Sequence, residues 1–491
     1  MVRRILRWVV VGAGSALLGL AIIGAALYWR FLHSGPELEP WHRVVLPDFS
    51  VERAGEVLTL ADYLQLEERL FADLQAQLYA EVEPDDRVPF NRYSAGSASD
   101  PLTWAVNWNR SYRMMPSGDA PSRGAVLLLH GLTDSPYSLR SIGAHLAAAG
   151  FDVVGLRLPG HGTAPSGLLS FRVEDLQAAV RLAARDLRRL AGPDRPLYLV
   201  GYSNGATLAV DYALSVLEGE DLPRPAGLVL ISPAIGVSPL AALARLRTGL
   251  SRVPGFRRAA WQTIETEFDP FKYNSFSFHA AGQTHRLTRG VARRLARFSA
   301  DDRLRDFPPV LAFLSTVDAT VRAEALADVL LERLATGGHE LVLFDVNRHA
   351  AVQSLLVEDP GRLTRQLLSR QARPYALSVV TNATPGTFQV MELHASAGAS
   401  QQDSRLLDLA WPRAVFSLSH VALTFPPDDP LYGYAAHDDV SHLQLGRVEV
   451  RGENGVLAVP SWLLTRQRSN PFHTYLLERM DRFLLQDAPT P

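Results

Sequence analysis

One short stretch constrains the fold of this chain more than any other, the motif Gly201-Tyr202-Ser203-Asn204-Gly205. The apolar run from Leu197 to Val200 before it predicts a buried strand, and the run from Ala206 to Leu217 after it predicts a helix. A serine between two glycines in this context is typical of a very sharp strand-to-helix turn. Such a turn exposes the Ser203 hydroxyl beside the helix N-terminus, where backbone N–H groups favour negative charge.

Strands and helices alternate regularly from Gly124 onward. Predicted strands cover 125–129, 152–158, 197–200, 228–231, 309–315 and 340–344, and predicted helices cover 138–149, 173–190, 206–217 and 323–335. This alternation predicts an α/β fold with a mostly parallel sheet and helices on both of its faces. Two stretches interrupt the pattern. One is rich in arginine and predicts a cap over the carboxyl edge of the sheet, and the other, after Val346, predicts extra strands.

These patterns divide the chain into seven segments. We expect a membrane anchor at 1–33, followed at 34–115 by a linker, a packing helix and early strands. The core comprises 116–233 and 307–347, with the cap at 234–306 between its two parts. An insertion with extra strands follows at 348–413, and the last segment, 414–491, contains the candidate catalytic histidine His420, a hairpin and a helix.

The N-terminal residues predict a membrane span. Arg3, Arg4 and Arg7 precede an uncharged run of 22 residues from Trp8 to Trp29, which is long enough to cross a bilayer. Basic residues before such a run favour a single-pass anchor with its N-terminus in the cytoplasm. The catalytic domain would then be periplasmic or otherwise outside the cytoplasm. A cleaved signal peptide is the alternative, since Ala25 and Ala26 offer a small-residue cleavage site.

Composition and motif content argue against several classes of function. The net charge of −2 gives no electrostatic case for nucleic acid. The chain has no cysteine, which excludes disulfides and thiolate metal sites. It also lacks the H-x-H and H-E-x-x-H spacings of metal-dependent hydrolases. We therefore expect neither a metal nor a cofactor.

A serine hydroxyl becomes a nucleophile only when a base takes its proton and an acid orients that base. In strand–turn–helix arrangements of this kind the chain order is serine, acid, histidine. Asp318 follows the apolar strand Val310 to Leu314, where such an acid would lie. Two histidines are candidates for the base: His349, just after the strand Leu341 to Val346, and His420, in Ser417-Leu-Ser-His-Val421.

A developing oxyanion needs two N–H donors. The backbone N–H of Asn204 is one candidate. The other comes from the strand that ends in His130-Gly131, because the tight turn after it can direct the N–H of Leu132 into the same pocket.

Four motifs together resemble the α/β-hydrolase fold, specifically the bacterial carboxylesterase and monoacylglycerol-lipase branch of the serine aminopeptidase-like hydrolases. They are Leu129-His-Gly-Leu-Thr-Asp-Ser-Pro136, Leu156-Arg-Leu-Pro-Gly-His-Gly-Thr-Ala-Pro165, Gly201-Tyr-Ser-Asn-Gly-Ala206 and Val317-Asp-Ala-Thr-Val321. The resemblance implies that Ser203 is the nucleophile, Asp318 the acid, and Leu132 and Asn204 the oxyanion donors.

The resemblance also bears on the histidines. It implies a structural role for His161 and favours His420 over His349, because the family histidine lies in a Ser-Gly-His-Val-like segment. The region from about Asn347 to Arg413 then becomes an insertion that compact members of the family lack.

We therefore expect a membrane-anchored serine hydrolase that cleaves a small-molecule or lipid ester of a carboxylic acid through an acyl-enzyme. Peptidase, thioesterase and acyltransferase activities use the same three residue types and stay open. A further alternative is a catalytically silent hydrolase fold whose extra strands after Asn347 bind a partner.

Overall fold

The computed structural model of the chain describes residues 2–33, 36–80, 90–117, 121–192, 194–235, 257–318, 320–349, 359, 361–370, 373–399, 401–413, 415–435, 443–447 and 466–485.

A ten-stranded sheet forms the centre of the described chain. Its strands, in spatial order, are β1 (Tyr112–Met114), β3 (Asp152–Leu156), β2 (Ala125–Leu129), β4 (Leu197–Tyr202), β5 (Gly227–Ile231), β8 (Val310–Ser315), β9 (Glu340–Phe344), β10 (Ala376–Asn382), β11 (Gln389–Ala395) and β12 (Asp403–Ala410). The strands from β3 to β10 in this order are parallel, and β1, β11 and β12 pair antiparallel. The predicted mostly parallel sheet is confirmed.

The described chain also contains α-helices and shorter strands outside this sheet. They are α1 (Val2–His33), α2 (Leu60–Leu74), α3 (Arg140–Ala148), α4 (Val173–Ala191), α5 (Asn204–Glu218), α6 (Phe278–Ala300), α7 (Ala323–Val329), α8 (Gly361–Ser369), α9 (His473–Leu485), and the short strands β6 (Trp261–Thr263), β7 (Phe276–Ser277), β13 (Ser417–Leu418) and β14 (Arg466–Gln467).

Successive side chains of a strand point to opposite faces of the sheet. Because the central strands are fully buried, both faces of the sheet are covered by other elements. Leu127 and Leu129 share a core with α2, α4, α5 and α6. Val126 and Leu128 share a second core with α3 and α9. The carboxyl ends of the parallel strands meet at one edge, where the loops that carry functional residues lie.

The insertion after β9 lengthens the same sheet. Strand β10 continues the parallel order, with Leu377 opposite Leu341, and β11 and β12 add an antiparallel edge. The sequence predicts strands at 375–381 and 388–394, close to β10 and β11, but it does not predict β12. Most of the β12 side chains are exposed, so its sequence lacks the apolar character of a buried strand.

The stretch before α2 is packed onto the core. Its prolines predict a linker over 34–50, yet Trp41 and Phe49 are buried. Polar contacts hold this stretch to the core. The fully buried guanidinium of Arg157, which follows β3, donates two hydrogen bonds to Asp48 at 2.8 and 2.9 Å and one to Glu67 of α2 at 3.2 Å. One buried cation thus joins the N-terminal stretch, α2 and the loop after β3.

We expect Arg157→Leu to destabilise the protein by about 3–5 kcal/mol, because it leaves the partly buried carboxylate of Asp48 and the buried carboxylate of Glu67 without their cation. The midpoint of urea unfolding measures the effect. Arg305→Leu is the control, since Arg305 and its partner Asp302 are both mostly exposed and such a pair contributes less than about 1 kcal/mol. Similar midpoint shifts in the two variants would contradict the anchoring role of Arg157.

The predicted membrane anchor coincides with α1, which extends from Val2 to His33. Across the described residues, however, no helix combines the length and the apolar character that a bilayer span requires. The structure therefore does not support the predicted transmembrane helix.

Parts of two other predicted segments lie outside the described residues. These are residues 236–256 of the predicted cap and most of the predicted hairpin around Asn454.

Candidate active site

Ser203 occupies the turn between β4 and α5 in a strained backbone conformation. Its φ of 53° and ψ of −113° lie in a region that L-residues rarely adopt. The Ser203 N–H donates to the carbonyl of Ile231 at 2.9 Å, which ties the turn to the neighbouring strand β5. The flanking glycines are required by space: a Cβ at Gly201 would lie 2.4 Å from Cα of Ala206, and one at Gly205 would lie 2.0 Å from the carbonyl oxygen of Leu129. The turn therefore has the sharpness that its sequence predicts.

The three predicted residues Ser203, His420 and Asp318 lie in hydrogen-bond contact. Nε2 of His420 is 3.0 Å from Oγ of Ser203, and Nδ1 of His420 is 2.7 Å from Oδ2 of Asp318. The Asp318 side chain is fully buried, whereas the His420 side chain is 15% exposed. The other carboxylate oxygen, Oδ1, accepts the N–H groups of Thr320 and Val321 at 2.8 and 3.0 Å, which holds the carboxylate towards the ring.

His420 reaches this position because the two ends of the insertion lie side by side. The N–H of Asn347, just after β9, donates to the carbonyl of Phe416 at 2.8 Å. The Asn347 side-chain amide also donates to the carbonyl of Val415, 68 positions along the chain, at 2.9 Å. The segment that carries His420 thus starts beside the end of β9, as it would in a chain without the insertion.

His349 lies in a different environment. Its ring stacks on Phe388, just before β11, with ring centroids 4.4 Å apart and an interplanar angle of 7°. The backbone N–H of His349 donates to Oδ1 of Asn347 at 3.3 Å. The structure thus brings His420, and not His349, to Ser203 and Asp318.

The loop with the predicted oxyanion donor Leu132 is held on both sides. Within it, Thr133 has a φ of 65°, and its carbonyl accepts the N–H of Tyr273 from the cap at 2.8 Å. Behind the loop, Nε2 of His130 accepts the N–H of Leu158 at 3.0 Å, so Nδ1 carries the proton and donates to the carbonyl of Gly131 at 2.8 Å. Burial lowers the pKa of His130 well below its ordinary value, which keeps the ring neutral.

The second predicted donor, Asn204, is the first residue of α5. N–H groups in the first turn of a helix have no partner within that helix. The side-chain amide of Asn204 is buried, and among the described residues neither of its polar atoms has a hydrogen-bond partner.

His161 is buried, and its Nδ1 lies 2.9 Å from the carbonyl oxygen of Pro159. Burial lowers its pKa to about 4. Its ring lies against His130, with centroids 5.3 Å apart. These contacts shape the loops behind the site and fit the expected structural role.

Residues of the predicted cap contact Tyr137 and the segment after His420. The Phe271 ring stacks on Tyr137, which follows the oxyanion loop, at a centroid distance of 4.2 Å. The hydroxyl of Tyr432 donates a short hydrogen bond to Asp269 of the cap. The sequence alone does not indicate Tyr432, because no local pattern marks a residue that bonds to a loop distant in sequence.

Comparison with known proteins shows which family the core is similar to. Residues 120–352 match the family model described as "Serine aminopeptidase, S33". This part of the chain, just under half of the whole, has the α/β-hydrolase fold. Over 238 residues the hydrolase is 25% identical to a thermostable monoacylglycerol lipase of Bacillus sp. (strain H-257), a match that covers 48% of this chain and 87% of the relative.

Solved structures give weaker similarities. A monoacylglycerol lipase of Paleococcus ferrophilus is 20% identical with a TM-score of 0.36, and the match covers 48% of this chain and 88% of that one. A carboxyl esterase of Bacillus coagulans is 17% identical with a TM-score of 0.36, over 48% of this chain and 84% of that one.

The family and the relatives together make the protein a lipase- and esterase-like hydrolase, as its sequence predicts. The match to the family model ends at residue 352 and contains His349 but not His420. The contact between His420 and Ser203 is thus independent of the family match.

Proposed function

We propose that this hydrolase cleaves carboxylic esters with Ser203 as nucleophile, His420 as general base and Asp318 as the acid that orients it. The observation that carries the proposal is the continuous contact from Ser203 Oγ through the imidazole to the Asp318 carboxylate, at 3.0 and 2.7 Å.

In the first step His420 Nε2 takes the Ser203 proton as Oγ attacks the ester carbonyl. The N–H groups of Leu132 and Asn204 stabilise the oxyanion that forms. His420 then gives its proton to the alcohol oxygen, which leaves, and Ser203 is acylated. A water then loses a proton to His420 and attacks the acyl carbon; the bond to Ser203 Oγ breaks, Oγ takes that proton back from His420, and the carboxylic acid leaves. Throughout, Asp318 holds the ring in the tautomer with Nδ1–H and stabilises its charge.

We infer further that the substrate is an acyl lipid or a related ester, because the similar Bacillus protein is a monoacylglycerol lipase. A peptidase is the second candidate, since the description of the family model names an aminopeptidase. Peptide bonds can be cleaved by the same three residues.

Labelling with a fluorophosphonate and hydrolysis of 4-nitrophenyl esters of increasing acyl length test the proposal together. We expect one adduct per protein chain, on Ser203, and measurable ester hydrolysis. The dependence of its rate on acyl length reports how much space the active site has for the acyl group. Leucine 4-nitroanilide tests the peptidase alternative. A purified protein that neither reacts with the probe nor hydrolyses any ester would contradict the proposal.

Location at a membrane stays a prediction of the sequence, based on Arg3, Arg4 and Arg7 before the apolar run from Trp8 to Trp29. Fractionation of expressing cells, followed by carbonate washing of the membranes, tests it. Release of the whole protein by the wash would contradict an integral anchor.

A further inference from the structure

Two buried asparagines lie where the insertion leaves the hydrolase core. Asn347 follows β9 and is 3% exposed, and Asn382 is the last residue of β10 and is 7% exposed. The side-chain amide of Asn382 donates to Oδ1 of Asn347 at 3.1 Å, so the two side chains are in direct contact. The proposed mechanism uses neither of them.

The side chain of Asn347 has one orientation that satisfies its neighbours. Its amide nitrogen donates to the carbonyl of Val415 at 2.9 Å, and its Oδ1 accepts from Asn382. The opposite orientation would set the amide oxygen against the Val415 carbonyl. The backbone N–H of Asn347 donates to the carbonyl of Phe416 at 2.8 Å. Asn347 thus binds two successive carbonyls at the start of the segment that carries His420.

Asn382 ties this contact to the inserted strands. Its Oδ1 accepts the N–H of Arg348 at 2.7 Å, and its amide also donates to the carbonyl of Thr387, between β10 and β11, at 2.9 Å. A buried amide that loses such a partner is left with a costly unsatisfied group. The inserted strands therefore hold Asn347 on one side, and Asn347 holds the segment of His420 on the other.

The hydrogen bonds of Asn347 are the shorter constraint on that segment. His420 comes four positions after Phe416. Its own carbonyl accepts the hydroxyl of Ser232 at 3.4 Å, which is long for a bond of this type. The two bonds of Asn347, at 2.8 and 2.9 Å, have the ordinary length. A displacement of the imidazole from Ser203 by about 1 Å can lower a rate by about 100-fold.

We propose that Asn347 and Asn382 are positioning residues, which hold His420 at Ser203 by joining the segment that carries it to the inserted strands. The inference rests on the proposed function. It gives the insertion a task in the reaction, since β10 braces the joint at which the chain returns to the end of β9. Because the two asparagines act through His420, they should affect the rate of the covalent step and not the binding that precedes it.

The reaction with a fluorophosphonate tests the proposal, because Ser203 then forms one covalent bond with help from its base and no acyl-enzyme has to be hydrolysed. The maximal rate constant, kinact, reports the alignment of His420, and the half-saturating concentration, KI, reports binding. Asn347→Asp is the decisive variant, because it keeps Oδ1 for Asn382 but places a carboxylate oxygen against the Val415 carbonyl. We expect kinact to fall by about 10- to 100-fold and KI to stay within about threefold of wild type.

Two further variants separate the parts of the joint. Asn347→Ala removes the donor without adding a charge, so kinact should fall by about three- to tenfold. This variant decides if Asn347→Asp does not fold. Asn382→Ala should lower kinact by a similar factor, because Asn347 then loses the group that fixes its orientation. Since kinact is a rate constant of the molecules that react, a misfolded fraction does not alter it.

Gln389→Glu is the matched control. Gln389 is a half-buried residue of β11, and its amide donates to the carbonyl of Leu407 in β12 at 3.4 Å. The variant therefore makes the same change from amide to carboxylate beside a carbonyl, within the inserted strands but at a different contact from the joint. It should keep the wild-type kinact.

An unchanged kinact in the deciding Asn347 variant, a change confined to KI, or an equal loss of kinact in Gln389→Glu would overturn the positioning role and leave the ester-hydrolase proposal intact. An unchanged kinact in Asn382→Ala would overturn the bracing by the inserted strands. Failure of the wild type to react with the fluorophosphonate would instead contradict the proposed function.

Discussion

Replacing Ser203 by alanine should lower kcat for a 4-nitrophenyl ester by about 10⁴- to 10⁶-fold, the range found when a serine nucleophile is removed. The reason is chemical: His420 then has no hydroxyl to deprotonate, and the acyl-enzyme cannot form. The oxyanion donors and the binding surfaces stay in place, so the residual rate should exceed that in water. Steady-state kinetics at saturating ester, together with loss of fluorophosphonate labelling, measure the effect.

The fold should survive this substitution. Alanine is smaller than serine, and the Ser203 backbone contacts, to the carbonyl of Ile231 and from the N–H of Ala234, do not involve the hydroxyl. Thermal unfolding should therefore stay within a few degrees of wild type. A correctly folded Ser203→Ala protein that retains a tenth or more of the wild-type kcat would contradict the assignment of the nucleophile, by the same reasoning.

The parts of this molecule that were predictable from sequence are those in which local pattern determines structure. The glycines around Ser203 mark the turn because the backbones of neighbouring elements leave no space for a Cβ. The apolar strands are recognisable because they are buried on both faces. The residues around His420 favour it over His349, and the segment that carries it returns to the end of β9 through the hydrogen bonds of Asn347.

The parts that were missed depend on contacts between distant segments. Asp48 belongs to a stretch that resembles a linker, and its role becomes visible only beside the buried Arg157. Strand β12 is an exposed edge, held by pairing with β11 rather than by an apolar pattern. Asp134 and Lys272 form an ion pair although more than a hundred residues separate them in sequence, so no motif could have indicated their pairing.

The two histidine candidates give the second large effect. His420→Ala should lower kcat by about 10⁴-fold or more, because Ser203 loses its base and the leaving alcohol loses its proton donor. His349→Ala should retain kcat within about threefold, since its ring stacks on Phe388 while His420 occupies the place of the base beside Ser203. Parallel kinetics with the same ester, normalised to folded protein, compare the two variants.

The effect of His349→Ala on stability separates a structural from a catalytic role. Loss of an aromatic stack is worth about 0.5–1.5 kcal/mol, so this variant should unfold at lower urea concentration while its folded fraction turns over normally. His420→Ala should show the opposite behaviour, with a small change in the unfolding midpoint and a large loss of rate. If His349→Ala lost activity and His420→Ala kept it, the base would be His349, and the segment that carries His420 would have to move away from Ser203 in the active protein.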